Sequence, residues 1–357
     1  MTMQSEAESN AMKLRLLCCS DLPLCNISAA NGSLDSDGSF STTARGQGGD
    51  DELLLPTFST ASKVRVVITL TVFLISSYLN LSVLCDALRR RGTARSHIRT
   101  LIVNLSCADL LVTFLVMPLD AAWNITVQWY AGDSACKLFM FLKLLSMYSC
   151  AFITMVISLD RYCAVLHPLG ISRANERNRT MLIGAWVMSV ILATPQLFLF
   201  HTVSITVPAP FTQCVTHGSF KEPWQEKVYF LFTFLWLFLL PLIIMVFCYT
   251  SILITITRKM AVNGDVFSKD ADSRCSKNYI PKVRIKTLKM TIVLVSTFII
   301  CWTPYYVLGF WYNFFPAMIN KKEIPESINH ALFTFGMLNS FVDPVVCRIG
   351  YLRMTSG

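Results

Sequence analysis

Seven long apolar segments constrain this chain more than any other feature. They lie at about 63–88, 97–124, 135–167, 180–200, 224–258, 283–314 and 326–348. Each has at least the roughly 20 residues that a helix needs to cross a hydrocarbon core about 30 Å thick. No water reaches a bare N–H or C=O in lipid, so every such segment has to be a helix. The expected fold is an all-α membrane protein, a bundle of seven transmembrane helices. Only 15% of the 357 residues are charged, against about 25% in a soluble domain. The net charge of +9 suggests nucleic acid at first sight. Its cations cluster between the spans, however, so the lipid bilayer is the expected partner and nucleic acid is not.

The third segment organises the rest. Cys136 to Leu169 is mostly apolar, with Lys143 about two turns in and Asp160-Arg161-Tyr162 at its far end. A Lys at membrane depth costs on the order of 2.5 kcal/mol or more, so Lys143 is expected to face the bundle interior and act there. Pro118, Pro195, Pro241, Pro304 and Pro344 fall within segments two, four, five, six and seven, where neighbours can satisfy the carbonyls that prolines free.

Loop charge sets the orientation. Arg89, Arg90, Arg91, Arg95 and Arg99 follow the first segment, and Arg173, Arg177 and Arg179 follow the third. Lys259, Lys269, Arg274, Lys277 and Lys282 follow the fifth. These loops are expected in the cytoplasm, which places the N-terminus outside. Residues 1–62 read as a disordered extracellular tail, polar and acidic on balance, with glycosylation sequons at Asn26 and Asn31. Residues 63–348 form the seven-helix domain, and 349–357 a very short cytoplasmic tail. The thirteen Cys show no metal-ligand spacing. No nucleophile–base set or phosphate loop points to an enzyme.

Several residues carry chemistry beyond span-building. An acid–Arg pair such as Asp160-Arg161 is often only an interfacial anchor. It coincides here with seven spans, Trp186, Pro241 and Cys301-Trp302-Thr303-Pro304, and in this the chain resembles the rhodopsin-like G-protein-coupled receptors. Longer runs narrow the resemblance. Met117-Pro118-Leu119-Asp120, the stretch from Trp123 to Gly132, Gln213-Cys214-Val215-Thr216-His217 and the stretch from Cys301 to Gly309 look like the gonadotropin-releasing hormone receptor family, in its non-mammalian form.

The resemblance implies a peptide hormone as ligand and a heterotrimeric G protein of the Gq class as partner, with phospholipase C and calcium release downstream. It implies ligand contact at Asp120, Trp123, Asn124, Lys143, Trp302, Tyr305, Tyr306, Tyr312 and Glu326. Asp120 and Lys143 would meet the blocked N-terminal end of the decapeptide, and Asn124 its C-terminal glycinamide. Glu326 would attract an Arg at the hormone's position eight, and the order Pro325-Glu326-Ser327 implies tolerance of neutral residues there. An Asp120–Lys143 ion pair that only ties two helices together is the plainer alternative. Activation is assigned to Asp160, Arg161, Tyr162, Pro168, Leu169, Tyr249, Phe298, Pro304, Asp343 and Pro344. Cys136 and Cys214 are expected to form a disulfide that pins the second extracellular loop, which an oxidising exterior permits.

Asp109, mid-membrane, is expected near Asn80, Asn339 and Asp343. Two carboxylates so close cannot both ionise cheaply, so either Na⁺ sits there or one acid stays protonated. Cys347 departs from the family, which has Tyr at that position. A thiol lacks a phenol's reach and hydrogen bonding, so signalling is the property this end of the chain puts in question. A truncated or signalling-deficient form is one alternative. A receptor for a related vasopressin-like or adipokinetic-hormone-like peptide is another, though the Asp120, Trp123-Asn124 and Tyr305-Tyr306 set argues against it.

Overall fold

The computed structural model describes residues 57–89, 96–167, 173–206, 209–267, 282–315, 332 and 334–346. Helix α1 is Thr60–Arg89, and α2 runs unbroken through Ser96–Leu111, Val112–Val116 and Met117–Thr126. Helix α3 is Gly132–Leu166, and α4 is Ala174–Ala193, followed by a short helical turn, Gln196–Leu199. Helix α5 runs through Pro223–Phe234, Leu235–Leu239 and Leu240–Phe267, and α6 is Lys282–Phe314. Residues 334–346 are helical and are called α7. Among the described residues, six helices are long and apolar enough to cross a membrane. Helix α7 is the described part of the seventh span.

The boundaries differ from expectation at α5, which runs to Phe267 rather than ending near 258 and so includes Lys259, and at α4. Helix α4 begins at Ala174 rather than near 180, so Arg177 and Arg179, expected in a loop, lie inside the helix. Pro195 ends its regular part instead of kinking it. A second difference is the two-stranded hairpin of β1, His201–Ile205, and β2, Phe211–Val215, in a region that hydropathy alone reads as plain loop. The strands are antiparallel, with His201 opposite Val215 and Thr202 opposite Cys214.

Helix α3 is the centre of the bundle. From Tyr148 to Ser158 every side chain except Met155 is buried, the pattern of a helix enclosed on all sides. The outward faces of its neighbours are apolar. Leu74, Phe247 and Ile300 are each at least 60% exposed, a surface fit for lipid rather than water.

Prolines shape three of the helices through one mechanism. A proline lacks the N–H that would bond the carbonyl four residues earlier, and its ring collides with that carbonyl. In α2 and α5 the strain is absorbed by one widened π turn, Val112–Val116 ahead of Pro118 and Leu235–Leu239 ahead of Pro241. In α7 the carbonyl freed by Pro344 is that of Ser340. It accepts hydrogen bonds from Ser76 Oγ at 3.1 Å and Asn80 Nδ2 at 3.0 Å, both from α1. Helix α5 starts cleanly because Glu222 and Gln225 form a reciprocal capping box with Pro223 at the first position.

The hairpin is fixed over the N-terminal end of α3. Cys136 and Cys214 form the expected disulfide, with Cα atoms 5.6 Å apart. Asp133 Oδ1 accepts the Thr202 N–H at 2.9 Å. Trp123 donates its indole N–H to Gln213 Oε1 at 2.8 Å, while Gln213 Nε2 donates to the Val127 carbonyl at 2.7 Å. Val127 has φ +61°, a left-handed backbone that costs a β-branched residue about 1–3 kcal/mol, and the Gln213 bond holds it there. Replacing Cys136 with Ser is expected to remove about 2–4 kcal/mol from this cap. Hydrogen exchange would read the loss as lowered protection of the β1 and β2 amides, with α3 amides near Tyr148 unchanged.

Candidate functional site

The helices surround an open cavity, about 820 Å³ when the solvent at its mouth is included. Helix α3 contributes Met140, Lys143, Leu144 and Met147, and the α4 end contributes Gln196. Helix α5 adds Phe230, Thr233 and Leu237, α6 adds Trp302, Tyr305 and Tyr306, and Leu332 and Gly336 close the wall. The lining is apolar and aromatic with few polar groups, the usual make-up of a ligand site. Of the sequence-predicted ligand residues, Lys143, Trp302, Tyr305 and Tyr306 are brought together here.

The aromatic floor continues inward as a chain of rings. Tyr305 stands perpendicular to both Trp302 and Tyr306, at 6.0 and 5.2 Å between centroids. Tyr306 packs on Phe238 at 5.1 Å, and Phe238 stacks on Phe298 at 6.0 Å. Phe298 is 1% exposed and lies at the inner end of a continuous packed path from the cavity.

Asp120, Trp123 and Asn124 are not among the lining residues. Asp120 is paired with Arg65 of α1, a residue that the sequence motifs do not single out. Arg65 Nε also donates to Asp120 Oδ2 at 3.1 Å, and Thr69 Oγ1 lies 3.5 Å from the same oxygen. A signal was available: an Arg three residues into an apolar run has to find an acid. Asn124 Nδ2 donates to the Asp120 carbonyl at 2.8 Å, within its own helix. Trp123 is buried, with its indole committed to the hairpin. Gln196, also unforeseen, lines the cavity and donates to Tyr229 Oη at 2.6 Å. Glu326, Asn26, Asn31, Pro168, Leu169 and Cys347 lie outside the described residues, as does the Tyr312 side chain.

Deeper in the bundle, Asp109 and Asp343 are both buried and within electrostatic reach of each other. Asp109 Oδ1 accepts the Cys150 thiol at 3.4 Å, and Asn339 Nδ2 donates to Asp343 Oδ2 at 3.2 Å. The amide of Asn80 does not turn to Asp109, as expected from sequence, but to Ser76 and the Ser340 carbonyl. Among the described residues, three buried oxygens here have no hydrogen-bond partner: Asn80 Oδ1, Asp109 Oδ2 and Asn339 Oδ1. An all-oxygen set of carboxylates and amide carbonyls fits a hard cation.

At the C-terminal end of α3, Arg161 pairs with Asp160. Asp160 Oδ1 accepts Asn178 Nδ2 at 2.7 Å and has Arg177 Nη2 at 3.5 Å, both from α4. Tyr249 Oη lies 3.4 Å from Ser158 Oγ, one turn above Arg161. Tyr162 packs against Phe247 of α5 at 5.7 Å.

Comparison with known proteins agrees with this architecture. Residues 61–346 match the family described as 7 transmembrane receptor (rhodopsin family). The gonadotropin-releasing hormone II receptor of Clarias gariepinus is 51% identical over 292 residues, covering 82% of this chain and 76% of that protein. That of Chlorocebus aethiops is 50% identical over 311 residues, 84% and 81% of the two chains. The gonadotropin-releasing hormone receptor of Rattus norvegicus is 43% identical over 308 residues, 84% and 92% of the two. These proteins are signalling receptors rather than enzymes. The chain is a multi-pass membrane protein that belongs to the rhodopsin family of seven-transmembrane receptors and, within it, to the gonadotropin-releasing hormone receptors.

Proposed function

We propose that this chain is a plasma-membrane receptor for gonadotropin-releasing hormone decapeptides, with its N-terminal tail outside and a Gq-class G protein within. Phospholipase C activation and calcium release come with that partner. The observation that carries the reading is the cavity above Trp302, with Lys143 on a mostly apolar and aromatic wall. A blocked, polar peptide end can meet Lys143 there, while hormone aromatics stack on Tyr305 and Tyr312. Asp120, paired with Arg65 at the outer end of α2, would meet the same blocked end as Lys143, and Asn124 beside it would take the hormone's C-terminal glycinamide. Glu326 would attract Arg at hormone position eight.

Hormone that binds the open form more tightly shifts the population toward it. In that form α6 moves outward below Trp302 and Pro304, Phe298 repacks from its stack on Phe238, and Arg161 leaves Asp160 for the G protein. Pro168 and Leu169 add to that contact. The Asp109, Asn339 and Asp343 cluster would hold Na⁺ in the closed form.

Surface binding of labelled hormone and inositol phosphate release, measured together in cells, test the reading. Binding with release supports it and shows that Cys347 is tolerated. Surface-exposed protein that binds no hormone overturns the ligand assignment. Lys143→Gln is expected to weaken hormone binding roughly 10- to 100-fold, the loss of one charged hydrogen bond, at unchanged surface level. Hormone with a neutral residue at position eight is expected to bind within about tenfold of the Arg form, a difference of about 1.4 kcal/mol. Replacing K⁺ with Na⁺ is expected to raise the melting temperature of the purified receptor, and Asp109→Asn to abolish that increment.

A further inference from the structure

We propose that Arg177 is the counter-ion that keeps Asp160 satisfied once Arg161 has left it, with Asn178 as the fixed point of the exchange. The inference rests on the opening of α6 proposed above. It concerns residues that loop-charge reasoning assigned only to membrane orientation.

The Asp160 side chain is 1% exposed. A buried carboxylate persists only when its oxygens are occupied and its charge is compensated. In this structure Oδ2 belongs to Arg161, and Oδ1 receives Asn178 at 2.7 Å and Arg177 at 3.5 Å. Asn178 is wholly buried near the start of α4. Its bond to Oδ1 does not involve Arg161 and survives the departure of Arg161.

Arg177 is built differently from its neighbours. Arg173 and Arg179 are exposed, whereas Arg177 turns inward, its side chain 32% exposed. Its Nε is buried and has no hydrogen-bond partner. At 3.5 Å its contact with Asp160 is loose for a hydrogen bond, and a side-chain rotation can close it. The guanidinium therefore has both charge and an unused donor beside the carboxylate. When Arg161 moves to the G protein, an amide alone would leave Asp160 uncompensated, which is strongly destabilising for a buried ion. Closure of Arg177 onto the vacated carboxylate removes that cost from the open state.

A double-substitution cycle on the purified full chain in lipid nanodiscs tests this without any hormone. Arg161→Gln imitates the departed state as Asp160 experiences it. Arg177→Gln alone is expected to shift the apparent melting temperature by no more than about 2 °C, and in the Arg161→Gln background by about 5 °C or more. Arg177→Lys in that background should recover most of the loss, and it serves as the readable variant if the doubly neutral protein does not fold. Asp160→Asn should erase the difference, and Arg179→Gln should cause none. In cells, Arg177→Gln is expected to raise the hormone concentration for half-maximal response about 5- to 50-fold, at unchanged antagonist affinity. Equal shifts with and without Arg161, or shifts that persist in Asp160→Asn, would overturn the proposal and make Arg177 a surface contact of its own. A parent chain that binds no hormone would sink the ligand reading, while the melting cycle still decides the counter-ion.

Discussion

A carbonyl freed by a proline inside a membrane has no water to turn to, so it must find a donor on another helix. The Ser340 carbonyl does so. Pro344 takes away its helical donor, and Ser76 and Asn80 of α1 supply two others. Ser76 in turn shares a hydrogen bond with Thr113 at 2.9 Å, and Thr113 donates to the Asp109 carbonyl at 2.7 Å. One missing N–H thus ties α7, α1 and α2 into a single polar seam, because an unsatisfied group in lipid costs several kcal/mol. The π turns before Pro118 and Pro241 answer the same problem within one helix. They also reset the register of the residues beyond them, including Asp120, four residues past the first widened turn.

The same rule explains where the bundle can change shape. Between the cavity and the cytoplasmic end the packing is a run of rings, Trp302, Tyr306, Phe238 and Phe298, held by contact rather than by hydrogen bonds. Aromatic packing of this kind can be rearranged without stranding a polar group. At the cytoplasmic end the constraint returns, since Asp160 cannot be left alone. A receptor that opens there needs a second cation ready, and α4 begins early enough to place one beside it.

The seven spans, the central position of the third segment and the Cys136–Cys214 link were legible in the sequence. Length, apolar content and the resemblance carried them. Lys143 was readable as inward-facing, since a cation in an apolar helix demands enclosure; only the resemblance put Trp302, Tyr305 and Tyr306 with it, and the cavity that they share leaves out Asp120 and Asn124. Arg65 left half a signal: an Arg near the start of a span needs an acid or the interface, and only the packing of α2 shows that it takes Asp120. Arg177 and Asn178 were lost to a boundary set six residues too late. The basic and polar residues of 174–179 do not look like membrane, yet one face of that turn is buried against Asp160. The Asn80 amide was paired with the wrong partner because a main-chain acceptor on a distant helix leaves no mark in composition or spacing.

The central claim is that a ligand seated over Trp302 is read out as movement of α6. Spin labels at the cytoplasmic ends of α4 and α6, on purified receptor in nanodiscs, measure that movement directly. The account predicts that saturating gonadotropin-releasing hormone lengthens the distance distribution by several ångström, and that Lys143→Gln abolishes the change at the same hormone concentration. A distribution that stays the same while labelled hormone demonstrably occupies the receptor would contradict it.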